Sequence, residues 1–165
     1  MKTILPSLGD FEGIFVGSRG RAGGLALLWI KSTDSLSVTL LSCTTNHIDV
    51  AVRWKVSEPE WQFTGVYGFP ETQNKLKTCE LLLDLKDRSN LPWLIGGDIN
   101  EIIFNFEKSS GPPKSQMVLD AFRETLEECG LFDLGYNGHP FTWWNKQKGP
   151  KAIEERLDRY CANGE

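Results

Sequence analysis

A chain of 165 residues is long enough for one ordinary domain with a real core. Its 40% hydrophobic and 24% charged residues are a globular composition, which excludes a disordered or fibrous protein. A net charge of −4 and a pI near 5.3 exclude a chain-wide basic belt for nucleic acid, though not a local acidic site whose divalent cation meets phosphate.

The N-terminal MKTILPSLGD carries no apolar core long enough for a secretory signal, and the longest apolar run, Leu25 to Ile30, is too short to span a bilayer. The expectation is therefore an intracellular chain with no membrane partner. From Gly13 to Tyr67 the pattern is strand after strand. Ile14–Val16, Leu25–Ile30, Leu36–Leu41, Ile48–Trp54 and Trp61–Tyr67 are β-rich runs separated by SRGRAGG, KSTDS, TTN and VSEPE, which predicts an antiparallel meander. The glycine cluster GRAGG (20–24) lacks the GK[ST] of a P-loop and reads as a hairpin turn.

The period then changes. Between Thr72 and Ser89, Leu76, Cys79, Leu83 and Lys86 fall at helical spacing, and Leu81, Leu82 and Leu85 widen the face, so a helix is predicted. It leads into a short buried strand over 93–98. A second helix is predicted over about Ser115 to Cys129, with Val118, Leu119, Phe122, Leu126 and Cys129 as its buried stripe and Gly130 as its stop. PFTWWN (140–145) reads as a strand, followed by a lysine-rich turn and a final run, ERLDRYCA. No repeat or linker divides the chain, so 1–165 is expected to be one mixed α/β domain. Cys43, Cys79, Cys129 and Cys161 form no CxxC pair, and His47 and His139 sit at no zinc-like spacing, so reduced thiols are expected and zinc is not.

The stretch LPWLIGGDINEI carries the most chemistry. If its strand runs on through Asp98 and Asn100, a period of two points both side chains one way and Ile99 the other. Asp98 then either caps the turn after the strand or orients and deprotonates a water, with Asn100 fixing that water or a phosphate oxygen. Tyr67 in TGVYGFP is either an amphipathic core residue or a phosphate contact. Thr142 and Asn145 flank Trp143 and Trp144, which either pack in a strand or stack on bases. Asp158, between Arg156 and Arg159, belongs either to a solvated charge network or to a site where it orients a histidine or a metal.

Taken together, GRAGGLALLW, NHIDVAV, FTGVYGFPET, LPWLIGGDINEI, MVLDAFRETLEECGLFDLGYNGHPFTWWN and ERLDRYCAN, in that order, resemble the endonuclease/exonuclease/phosphatase superfamily. The closest likeness is to the endonuclease-like domain of plant LINE-type (non-LTR) retrotransposons, from about Gly13 to Asn163. The resemblance implies a four-layer α/β sandwich of the DNase I-like type and Mg²⁺-dependent phosphodiester hydrolysis, with DNA as partner. It assigns Tyr67 to the scissile phosphate, Asp98 to the attacking water, Asn100 as its partner, Thr142 to the site's edge and Asp158 to the catalytic histidine.

The departures from the family pattern are specific. No Trp-Asn strand and no metal-binding glutamate precede Gly13, and no Ser-Asp-His follows Asp158. Phe69 stands for a common histidine and Ala22 for a common serine. Asp98 is the carboxylate left to meet a metal. The expectation is thus a partial domain, incomplete at both ends, with weak Mg²⁺ binding and weak or no activity. Two alternatives stand beside it: a non-catalytic nucleic-acid or protein binding remnant using the tryptophans and Lys146, Lys148 and Lys151, or a small-phosphoester phosphatase of the same fold.

Overall fold

The computed structural model describes residues 10–18, 24–31 and 35–164 in full and the backbone of 2–8. The predicted hairpin turn GRAGG and Ala22 therefore lie largely outside the described residues. The chain forms two compact units, Met1–Tyr67 with Leu91–Ile95, and Gly68–Asn90 with Gly96–Gly164.

In the first unit β1 (Lys2–Leu8), β2 (Phe11–Val16) and β3 (Leu25–Ile30) form an antiparallel three-stranded sheet in the order β1-β2-β3. β4 (Ser37–Cys43), β5 (His47–Arg53) and β6 (Trp61–Tyr67) form a second antiparallel ladder. The expected single meander thus splits into two sheets between β3 and β4, and β1 is a strand the sequence pattern did not flag. The split follows from the side chains. β3 alternates half-buried Leu25, Leu27 and Trp29 with exposed Ala26, Leu28 and Ile30, so one face packs on a core. That core gathers Ile14, Ile48, Val50 and Val52, with Leu27, Trp29 and Phe63 against them.

On their opposite face, β2 and β3 also carry large apolar side chains. Phe11 pairs with Ile30, and Leu28 lies over Gly13, where its Cδ2 would be 2.5 Å from an added Cβ. Phe11, Leu28 and Ile30 are all about half exposed. Within β5 and β6 a polar cluster is buried instead: Asp49 accepts from Gln62 at 2.9 Å and Thr64 at 2.6 Å, and the Trp93 indole donates to Thr64 at 2.8 Å.

β7 (Trp93–Asp98) is divided between the units: in the first the strand order is β4-β5-β6-β7, and in the second it is β7-β11-β8. In the second unit, β11 (Asp158–Asn163) pairs antiparallel with β8 (Leu131–Asp133), and β9 (Trp143–Trp144) with β10 (Glu154–Glu155). The predicted six-residue strand at 140–145 shrinks to those two tryptophans. The first predicted helix begins with a 3₁₀ turn at Thr72–Asn74 and becomes α1 at Leu76–Lys86; the second is α2, Gln116–Glu128.

α1 buries Thr78, Cys79, Leu82 and Leu85, whereas Leu76 is 48% exposed, so its inner face is rotated from the expected stripe. α2 buries Leu119, Phe122, Thr125 and Leu126, close to its expected stripe, although Val118 is half-buried and not part of the core. Ile102, Leu119 and Leu157 form a core cluster beneath the site. Buried Arg156, Arg159 and Glu107, with half-buried Asp133, tie the start of β11 to the loop after β7 and to β8. Arg156 and Arg159 both pair with Glu107, at 3.0 and 2.9 Å, and both with Asp133, at 2.8 and 2.7 Å.

Candidate active site

The site grows from the end of β7 in the second unit. Asp98 closes the strand, Ile99 is fully buried, and the Ile99 amide donates to Leu157 O at 3.0 Å. Simple alternation does not carry on to Asn100, which corrects the expectation. Asn100 adopts a left-handed backbone with φ of 59°, so the chain turns sharply. Convergence with Asp98 comes from that turn: the Asn100 amide donates to Asp98 Oδ1 at 3.0 Å. The Asn100 side-chain amide donates to Gly68 O at 3.0 Å, and the Gly68 amide to Asp98 O at 2.7 Å. This crossing needs glycine, since a Cβ on Gly68 would lie 1.9 Å from Ile99 O. Gly96 is likewise required, because the Tyr160 ring occupies the space where its Cβ would stand, 2.2 Å away.

Burial raises the Asp98 carboxyl above its ordinary value, and the neighbouring Asp158 carboxylate raises it further, while hydrogen bonds from Asn100 oppose both. Asp158 is exposed at the start of β11, with Arg156 and Arg159 buried on either side of it. The flanking arginines serve the Glu107–Asp133 network, so they are structural and leave Asp158 facing outward. Thr142 fixes that turn: its hydroxyl accepts from the Leu157 amide at 3.0 Å and the Asp158 amide at 2.9 Å.

Asp98, Asn100, Thr142 and Asp158 are thus brought into one neighbourhood. Asn145 is placed otherwise. Its amide donates to Lys151 O at 2.9 Å and its carbonyl accepts from Gln147 and Ile153, both at 3.1 Å, so its polar groups brace the 145–153 loop. Tyr67 ends β6 in the first unit, half-buried, with its carbonyl accepting from Asn46 at 2.8 Å.

Beside Asn100 lies a cavity of about 390 Å³ whose charged lining the sequence reading missed. Lys114 sits 3.3 Å from Glu101 and 3.1 Å from Glu155, and Lys75 is 3.9 Å from Glu101. Trp143 lines the same cavity. No sequence signal marks these lysines, because their partners lie tens of residues away. Among the described residues no three His, Cys, Asp or Glu side chains converge on a metal position. Asp98 beside Asp158 is a like-charge pair of the kind a cation relieves.

Solved structures place this architecture. The endonuclease domain of TRAS1, a telomere-specific non-LTR retrotransposon, matches with a TM-score of 0.69 at 18% identity, over 94% of this chain and 68% of that one. AP endonuclease LMAP from Leishmania major matches with a TM-score of 0.70 at 11% identity, over 94% of this chain and 62% of that one. The fold is that of the endonuclease/exonuclease/phosphatase proteins. An endonuclease/exonuclease/phosphatase family protein from Bacteroides thetaiotaomicron gives a TM-score of 0.57 at 14% identity, over 95% of this chain and 62% of that one. The chain therefore spans roughly three-fifths to two-thirds of the endonuclease/exonuclease/phosphatase structures it matches. No family model and no curated protein matches the sequence. Among the described residues no helix is long and apolar enough to cross a membrane.

Proposed function

We propose that the chain is a partial, single-domain phosphodiesterase of DNA-endonuclease type, derived from a plant LINE-like retrotransposon and slow or inactive as it stands. The observation that carries this reading is the meeting of Asp98, Asn100 and Asp158 where β7 ends and β11 begins, on a fold shared with nucleases. Asp98, raised above its ordinary value, is the base for an attacking water, and Asn100 orients that water or a phosphate oxygen. Thr142 holds Asp158 at the rim, and Tyr67 is assigned to the phosphate by family resemblance.

Mg²⁺ is commonly held by one or two carboxylates with water and a phosphate, and Asp98 and Asp158 fit that demand as the pair that would hold it. Bound there, it would neutralise charge on the phosphate oxygens. The chain's own residues keep the site dry on one side only: Ile99 and Leu157 wall it from the core.

The test is nicking of supercoiled plasmid DNA with Mg²⁺, wild type against Asp98→Asn. Slow nicking that disappears in the variant is expected. Equal, measurable nicking in the two proteins refutes the assignment, and fast turnover in the wild type refutes the claim of weakness.

A second reading has its own support. Trp143 and Trp144 are 43% and 46% exposed, with Lys146, Lys148 and Lys151 on the following loop. A binding remnant of this kind holds DNA in a salt-dependent way without any metal.

A further inference from the structure

Asn100 keeps a backbone conformation that residues other than glycine rarely hold unless neighbours fix it. Its amide is tied to Asp98 and its side chain to Gly68. Its backbone carbonyl accepts from the ammonium of Lys75, twenty-five residues earlier in the chain.

We infer that Lys75 is a positioning residue, whose ammonium pins the Asn100 carbonyl and so fixes the left-handed turn that aims both the Asn100 side chain and the Asp98 carboxylate. The inference rests on the reading of Asp98 and Asn100 as the phosphodiester site.

Three observations support it. Lys75 stands at the N-cap of α1, where its side chain makes no capping hydrogen bond. Serine, threonine, aspartate or asparagine serves that position better, and a cation there opposes the helix dipole. The lysine is thus unfavourable for its own helix and suited to its partner across the unit. Its side chain is only 12% exposed, and burial pulls its pKa below the ordinary lysine value while Glu101 acts to hold the charge. Finally, Glu101 Oε2, 3.9 Å from the Lys75 ammonium, is buried without a hydrogen bond. The ammonium therefore stands between two acceptors and leans to the Asn100 carbonyl.

A residue that only stabilised the fold would protect its own helix and the site together. Positioning separates the two. Lys75→Met and Lys75→Arg are to be compared with wild type by amide hydrogen exchange, read at Asn100, at Leu157 as a control in the same unit, and along α1. In Lys75→Met, exchange at Asn100 is expected to quicken at least about tenfold, with Leu157 and α1 unchanged. Lys75→Arg, which keeps charge and donor, is expected to restore protection. Should Lys75→Met not fold, Lys75→Ser, which suits the N-cap, carries the same comparison.

Unchanged exchange at Asn100 overturns the inference, and so does a uniform rise across Asn100, Leu157 and α1. Cleavage of a DNA phosphodiester is the second reading: in Lys75→Met, kcat falls about tenfold or more while KM holds. If wild type and Asp98→Asn cleave alike, the functional reading fails, yet the exchange data still decide the role of Lys75.

Discussion

Removing the Glu107 carboxylate is the sharpest test of how the loop after the site is held. Glu107 is 6% exposed as a side chain, and its partners Arg156 and Arg159 are 8% and 0% exposed. Its oxygens accept from Ile103 N at 2.6 Å, Arg156 Nη1 at 3.0 Å and Arg159 Nη2 at 2.9 Å, with longer bonds from Phe104 N and Arg159 Nη1. Together with Asp133 it balances two buried guanidinium groups. In Glu107→Ala, Asp133 alone faces both, and Arg159 already has an Nε without a partner. Breaking a buried pair by removing one member costs about 3–5 kcal/mol, because the charge left behind stays desolvated. At this chain length about 2–4 °C accompanies each kcal/mol, so the melting point should fall by about 6–20 °C. Urea unfolding followed by tryptophan fluorescence measures the loss, and Glu107→Gln, which keeps an oxygen for Ile103, should lie between wild type and Ala. A loss below about 1 kcal/mol in Glu107→Ala would refute the view that Glu107 and the two buried arginines act as one unit.

Stability should also fall in acid. Burial pushes Asp133 up, but Arg156, the Gly135 amide and Arg159 more than reverse it; burial pushes Glu155 up, and Lys108 and Lys114 reverse that too. Both folded values lie below the unfolded ones. The stabilisation is therefore complete above the ordinary carboxylate range, about pH 4–5, and is lost as pH falls below it. Asp133→Asn and Glu155→Gln should each flatten that loss in urea midpoints between pH 3 and 7, and an unchanged slope in both contradicts the assignment. Gly68→Ala should cost about 2–3 kcal/mol in the same urea assay, since its Cβ would lie 1.9 Å from Ile99 O; near-wild-type stability would disprove the close crossing. Burial pushes the Cys129 thiol up to about 11 and the Cys161 thiol up to about 12. Iodoacetamide at pH 8 should therefore label half-buried Cys43 first in the folded protein, and mass spectrometry showing Cys129 or Cys161 labelled as fast would contradict this.

β3 and β6 were legible to the residue, because each is a β-rich run bounded on both sides by turn residues. α2 was legible because its apolar residues share one face, whereas α1 is rich in leucine all round and its buried face had no unique answer. At the candidate site, the convergence of Asp98 and Asn100 was expected for a partly mistaken reason. Alternation was expected to align them, and a left-handed turn does so instead, a choice dictated by Gly68 and Lys75 from far along the chain. Arg156 and Arg159 looked like partners of Asp158 in a solvated charge network, yet both are buried and pair with Glu107 and Asp133, since charge in a sequence says nothing of burial. Asn145 stood next to plausible chemistry by position alone, and its hydrogen bonds are local to its loop.

Strands that show large apolar side chains on both faces behave unlike an ordinary surface β-layer. Phe11, Leu28 and Ile30 give β2 and β3 a second oily flank, so water wets neither side of these strands well. In practice the purified chain should self-associate as concentration rises and should take up a dye such as anilinonaphthalene sulfonate while still folded. Replacing Leu28 and Ile30 by threonine, which is β-branched, suits a strand and carries a hydroxyl, would then raise its solubility without touching the inner core.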